Sequence, residues 1–427
     1  MKKARIDWID RFKAVGFFFV ILGHFEINTV LKSWIYSFHM PLFFFASGFT
    51  MNFEKIVQTD FKDYFASKFK RMIIPYFWLE MISLTLYFIR RFLFGKKLND
   101  LVKQLIGIFV VNTEVYDGTP SAALYFVVLL FLAQICLWIF IRISKNKSPV
   151  LLVLICAFLV FSLTTLEKPF VMHLNVVPVA VFLLYIGNVV AEFYKTYLKE
   201  KVERTNTFAL FALSAVFLLG GLAVWLINGR VSLHYNMYGK SFLLFVFSAL
   251  LTNIGLAAVC MRLPSSGFLS FVGQNTLFYM GLHTVIKNYM INILRLFFDR
   301  NSTVLFGFMA ILLYLILFPL AKLTDKYFPF VIGKESTENN RRTALCRTAA
   351  LAFASAAPAC AVVSKLMSVC FPVLFTYNYF KVIVFLCFSV IHFAVCLAVC
   401  RLLSKYVPVV FLIRNNEDAI KKKGYEQ

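Results

Sequence analysis

"DRFKAVGFFFVILGH", residues 10–24, is the stretch whose reading decides the fold. Its middle, Val15 to Gly23, is apolar enough for hydrocarbon, yet it starts with Asp10, Arg11 and Lys13 and ends in His24. Ionisable side chains at membrane depth face a partner or a watery cavity, because lipid cannot solvate them. Residues eleven apart on an α-helix are turned by only about 20°, so Lys13 and His24 share a face. Asp10 falls within about 40° of that face and Arg11 points away. At about 1.5 Å rise per residue the two lie ~16 Å apart along the axis, too far to touch. A helix with polar groups at two depths of one face predicts the interior of a bundle.

The remaining chain supplies the bundle. Of 427 residues 60% are hydrophobic, 15% are charged and 51 are Phe. Soluble domains average about half apolar residues, so a multi-span membrane protein is expected. Apolar runs near the ~20 residues that cross a bilayer predict about twelve helices. They lie near 12–31, 35–53, 72–90, 121–142, 149–164, 174–194, 207–227, 241–260, 268–297, 303–323, 347–372 and 378–400. The apolar patch from Leu105 to Val111 is too short to span and is expected to be re-entrant or interfacial. The strongest break in composition is the polar "GKESTENNRRTALCR", Gly333 to Arg347. The expected architecture is therefore all-α, a polytopic membrane helix bundle. It has a ten-helix core in 1–335, a cytoplasmic linker at 336–346, and two added helices with a basic tail in 347–427.

A formal charge of +23 raises nucleic acid as a partner. With both termini in the cytoplasm, however, roughly 30 Lys and Arg fall inside and roughly 11 outside, the pattern that sets membrane topology. Runs such as "KFKR" (Lys68 to Arg71) read as determinants beside anionic lipid, which makes the bilayer the partner. No soluble segment is long enough to carry a nucleic-acid surface, so none is expected to bind. Lys2, Lys3 and Arg5 imitate a signal peptide, but no small-x-small cleavage site follows, and an uncleaved first span is expected. The nine cysteines form no C-x-x-C pair with a histidine at ligand spacing, and no metal site is expected.

Two further stretches carry polar groups into the apolar phase. "FHMPLFFFASGF", Phe38 to Phe49, returns a second histidine, His39, near the depth of His24, with Pro41 freeing a backbone carbonyl. In "FVGQNTLFYMGLHTVIKNYM", Phe271 to Met290, Asn275, Tyr279, His283 and Lys287 recur every four residues and make one polar stripe on a single helix. Interhelical hydrogen bonding accounts for such a stripe as well as chemistry does. The pattern describes histidines around an internal, partly aqueous chamber, either a catalytic site or a transport path.

These segments resemble the membrane-bound acyltransferase-3 family. Lys13 and His24 fit its basic residue, ten residues, then histidine. "FHMPLFFFASGF", "KRMIIPYFW" (Lys70 to Trp78), "FLLYIGNVV" (Phe182 to Val190) and "FVGQNTLFYMGLH" (Phe271 to His283) resemble its later motifs in the family's order, from about residue 5 to 335. The version looks closest to the fucose 4-O-acetylase-like branch. "ALYFVV" (Ala123 to Val128) departs from the family's Leu-Trp-Phe helix, with Tyr125 in place of Trp. The resemblance implies an integral-membrane O-acyltransferase of a bacterial plasma (inner) membrane. Its co-substrate is acyl-CoA, with acetyl-CoA the expected form and no permanently bound cofactor, and its acceptor is a hydroxyl of a cell-surface or lipid-linked glycan.

Acyl transfer to an alcohol needs a base and oxyanion stabilisation. His24 is expected as general base, with His39 orienting it or donating to the oxyanion. Asp10, Lys13, Lys70 and Arg71 are expected to hold the donor. Tyr125, Asn275, Tyr279 and His283 are expected to line the chamber or meet the acceptor. The alternative is a transporter or flippase for a lipid or sugar, but the inverted repeats common in transporters are not evident.

Overall fold

Inside hydrocarbon every backbone N–H and C=O needs a partner within the chain, and the α-helix provides it locally. The computed structural model describes residues 5–93, 101–111, 121–145, 147–165, 171–294, 303–334, 346–356, 392, 395–403 and 410. It is a helical bundle with one short hairpin.

Fifteen α-helices run among the described residues up to 334. They are α1 Asp7–His24, α2 Thr29–Thr50, α3 Phe53–Gln58, α4 Phe61–Lys68, α5 Ile74–Leu93, α6 Leu101–Val110, α7 Tyr125–Ile143, α8 Ser148–Thr165, α9 Val177–Phe193, α10 Lys199–Arg204, α11 Thr207–Asn228, α12 Phe242–Arg262, α13 Gly267–Gln274, α14 Thr276–Leu294 and α15 Thr303–Tyr327. Strands β1 Val231–Ser232 and β2 Met237–Tyr238 pair antiparallel between α11 and α12. Residues 346–356 and 395–403 are also helical. The linker at 336–346, apart from Cys346, and most of the two last expected helices lie outside the described residues.

Six helical stretches among the described residues are long and apolar enough to cross a membrane; the more polar α1 and α2 fall outside that set. Asp7, Asp10, Arg11 and Lys13 load α1 with charge, and α1 ends at His24 because Asn28 caps the next helix, its Oδ1 accepting from Val30 N at 2.9 Å. The expected single helix 268–297 is two. Asn275 breaks it with φ −116° and ψ 23°, and its Nδ2 donates back to the Phe271 carbonyl at 2.8 Å.

The chain divides into two interleaved units. The first comprises Met1–Ala66, Tyr125–Tyr279 and Ile293–Phe318. Its helices cross where glycines allow backbone contact. A Cβ on Gly48 would sit 2.0 Å from the Leu184 carbonyl oxygen, and one on Gly187 2.5 Å from that of Phe45, so α2 and α9 touch backbone to backbone. Helices α11 and α12 are joined reciprocally. Ser214 Oγ donates to the Gly255 carbonyl and Ser248 Oγ to that of Gly221, both at 2.8 Å. Gly273 brings α13 onto α1 against the Asp10 carbonyl, and Tyr314 OH of α15 donates to the Ala14 carbonyl at 2.9 Å. Small residues and hydroxyl-to-carbonyl bonds are how helices adhere where lipid removes the hydrophobic drive.

The second unit comprises Ser67–Leu124, Met280–Asn292 and Pro319–Gln427 and uses the same devices. Ser83 Oγ of α5 donates to the Gly281 carbonyl of α14 at 2.9 Å, and Tyr76 OH donates to the Ile108 carbonyl at the end of α6 at 2.6 Å.

Gly48→Leu is expected to disrupt the α2–α9 crossing, at a cost above the ~1–3 kcal/mol of ordinary overpacking, because the obstacle is backbone. The variant should lose its monodisperse peak in size-exclusion chromatography. Gly307→Ala, on an open surface of α15, should retain it.

Candidate functional site

Helix α1 delivers His24 to one end of the first unit, and α2 begins there. Gly23 makes room for α2, since a Cβ on it would lie 3.3 Å from the Tyr36 ring. The Tyr36 ring lies 5.0 Å from that of His39. His39 is buried, with Nδ1 2.7 Å from the Ile35 carbonyl oxygen. A carbonyl only accepts, so this bond places the proton on Nδ1 and leaves Nε2 with the lone pair.

The same end gathers three rings that the sequence does not bring together. Tyr125 opens α7, His173 ends the 3₁₀ turn Val171–His173, and His234 lies between β1 and β2. Their centroids are mutually close: Tyr125–His173 4.6 Å, His173–His234 4.7 Å and Tyr125–His234 4.9 Å. Tyr235 follows, 4.8 Å from His234. Arg230 and Tyr235 also lie close enough to the Tyr36 phenol to act on it electrostatically. His173 is 1% exposed, and the backbone of His234 approaches its ring without a hydrogen bond of normal geometry. Met172 and His173 hold φ at +55° and +53°, left-handed values that side chains other than glycine rarely take.

The hairpin is fixed in place. Buried Asn228, the last residue of α11, donates from Nδ2 to the Tyr238 carbonyl at 2.8 Å and accepts from Ser241 N at 2.9 Å. Tyr238 OH donates to Asn236 Oδ1 at 2.6 Å. Burial, helped by nearby Tyr125, pushes the Tyr238 phenol above its ordinary range and keeps it protonated as that donor.

The opposite end of this unit holds Asp10 and Lys13. Asp10 is 2% exposed, with Oδ1 2.8 Å from Lys13 Nζ and Oδ2 2.5 Å from Arg5 Nε. Gln274 Nε2 adds a bond to Oδ2 at 3.5 Å. Asp10 thus sits between two cations, and the cluster carries one net positive charge. Arg11, expected to point away, is buried. Beside them lies an apolar cavity of about 440 Å³. Trp8, Phe49, Tyr194 and Val202 line it, as does Asn253, whose Nδ2 donates to the carbonyl of Phe38, one residue before His39, at 3.2 Å. Neither His24 nor His39 lines this cavity.

The remaining expected residues are dispersed. Asn275 closes α13, so it does not share a helix with Tyr279, His283 and Lys287, and the four-residue stripe is interrupted. Tyr279 packs its ring 5.5 Å from Phe17 in the first unit. His283 is fully buried in the second, with Nδ1 3.0 Å from the Met280 carbonyl and Nε2 3.3 Å from Thr284 Oγ1. Lys70 and Arg71 are exposed on the π-turn Phe69–Ile73 of the second unit.

The sequence reading missed His173, His234 and Tyr36. The available signal was "RVSLHYNMYG", residues 230–239, a polar aromatic loop between two spans that carries one of only six histidines.

A family model described as an acyltransferase domain matches residues 6–322. No curated protein and no solved structure matches the chain.

The left-handed backbone at Met172 gives a stability test. Met172→Val should lower the thermal midpoint by the equivalent of ~1–2 kcal/mol, since a β-branched residue tolerates this φ worst. Met172→Gly should leave the midpoint unchanged or raise it in the same denaturation assay.

Proposed function

The chain belongs to the acyltransferase family whose domain it matches, and we propose that it moves an acyl group from acyl-CoA to a hydroxyl of a cell-surface or lipid-linked glycan. Acetyl is the expected group and the plasma membrane the expected site. The observation that carries the reading is the Nδ1 bond of His39 to the Ile35 carbonyl. It holds the buried ring by Nδ1 and leaves Nε2 as the nitrogen that can take a proton.

On this reading His39 is the general base, the role that the sequence had suggested for His24. Its Nε2 takes the acceptor's proton as the hydroxyl oxygen attacks the thioester carbonyl. The tetrahedral intermediate then expels the CoA thiolate, the C–S bond breaks, and the proton passes to sulfur. His24 is the oxyanion donor. It ends α1, where donor side chains complement the last backbone carbonyls. Lys13 and Arg5, with one net positive charge after Asp10, attract the anionic donor. Tyr125 lies on the acceptor side. Asn275 and Tyr279 retain the proposed lining role, and Asn275 Oδ1, buried without a hydrogen-bond partner among the described residues, suits a wet neighbourhood.

Purified protein given acyl-CoA and a glycan acceptor should release free CoA. His39→Ala should lower kcat by about 10²–10⁴-fold, the usual worth of a positioned base, with folded yield intact. Full turnover in that variant would remove His39 from the reaction. Lys13→Ala should raise the KM for acyl-CoA several-fold and alter kcat less. An unchanged donor KM would count against its role.

A further inference from the structure

Aromatic rings that only fill space in a helix bundle do not need imidazole, a strained backbone or a pinned loop. At the α1–α2 end of the first unit all three occur together. Two successive residues before α9, Met172 and His173, are held left-handed, and this presents the His173 ring to Tyr125 and His234. Asn228, just before β1, bonds Tyr238 and Ser241 at the far end of the hairpin and so closes the loop that carries His234. The hairpin also leaves Tyr235 44% exposed beside half-buried His234, with exposed Arg230 and half-buried Asn236 flanking them. Tyr36 links this surface to His39, contacting the His39 ring at 5.0 Å and sensing both Tyr235 and Arg230.

A cyclic sugar has a C–H face that lies against an aromatic ring and a rim of hydroxyls that needs donors and acceptors. Tyr and His rings with Arg and Asn beside them match that pattern. A straight-chain alcohol has no such face and a fatty chain has no such rim.

We propose that the His234–Tyr235 hairpin surface, with Tyr36, Tyr125 and His173 beneath it, binds a pyranose ring of the acceptor and directs one hydroxyl past Tyr36 to His39. This rests on the acyltransferase reading and adds where on the chain the acceptor's sugar ring is held. His173 and His234 act as binding residues, whereas the proton transfer belongs to His39.

The test uses the full-length purified protein, with methyl glucopyranoside and methyl galactopyranoside as probes and 1,2-hexanediol as the non-sugar control. Saturation-transfer difference NMR reports binding without turnover, and CoA release reports the reaction. Tyr235→Ala, at an exposed position, should raise the acceptor KM about tenfold, a change worth 1.4 kcal/mol. It should abolish the pyranoside NMR signal while the KM for acyl-CoA stays put. Tyr235→Trp, which keeps an aromatic face, should restore both. His234→Ala should behave like Tyr235→Ala.

Turnover with unaltered acceptor KM and NMR signal in both alanine variants would overturn the site and leave the acyltransferase reading standing. Pyranoside binding that the alanine variants lose, without CoA release in the unmodified protein, would uphold the site and overturn the reaction. Signals from the diol equal to those from the pyranosides would overturn the saccharide class.

Discussion

Helices α2 and α9 meet with no side chain between them, at Gly48 and Gly187, and the first unit takes its geometry from that contact. In water such a crossing would be one apolar interface among several. In lipid the hydrocarbon outside is as apolar as the side chains inside, so close backbone approach and hydrogen bonds to carbonyls supply the cohesion. The same logic recurs at Ser214 and Ser248 between α11 and α12, and at Tyr314 on the α1 backbone. Fixing α2 against α9 sets the position of His39 and Tyr36, and the start of α9 sets that of His173.

Carbonyls serve a second purpose in α2. Pro41 lacks the N–H that the Ser37 carbonyl would have received, so the helix is already irregular around His39. One residue along, the Phe38 carbonyl accepts from Asn253 of α12, and the Ile35 carbonyl accepts from His39 Nδ1. An imidazole that bonds within its own helix needs no carboxylate partner, which would be a costly charge to bury. That arrangement fixes the ring through Nδ1 and leaves Nε2 as the nitrogen available to take a proton.

The helical class and the polar face of the first segment were legible because they depend on local spacing. Asp10, Lys13 and His24 lie within one helix, and their registry follows from its pitch. The break at Asn275 was not legible, because apolar residues continue on both sides of it and a four-residue recurrence of polar ones reads the same across a joint. Nor was the ring cluster. Tyr125, His173 and His234 come from three connections more than forty residues apart, and only the packing of α2, α7 and α9 brings them together. Arg11 shows a subtler limit. Helical geometry places it away from Lys13 and His24, but burial depends on which neighbours cover that face, and spacing is silent on this.

The two ends of the first unit differ in chemistry, and α2 joins them. At the α1 start an apolar cavity opens beside a cluster with one net positive charge, formed by Arg5, Asp10 and Lys13. At the α1 end the surface is imidazole, phenol and guanidinium. A membrane enzyme joining a CoA thioester to a sugar hydroxyl faces a solubility problem, since neither reactant dissolves in hydrocarbon and the two can lie on opposite sides of it. On the proposed reading the bundle solves this by bringing the reactants to one buried imidazole from different ends. Neither has to cross the bilayer whole. The ionisable groups that break the apolar pattern of α1 and α2 are then the points at which each water-soluble reactant meets the protein, and this is why the least lipid-like helices lie at the centre of the site.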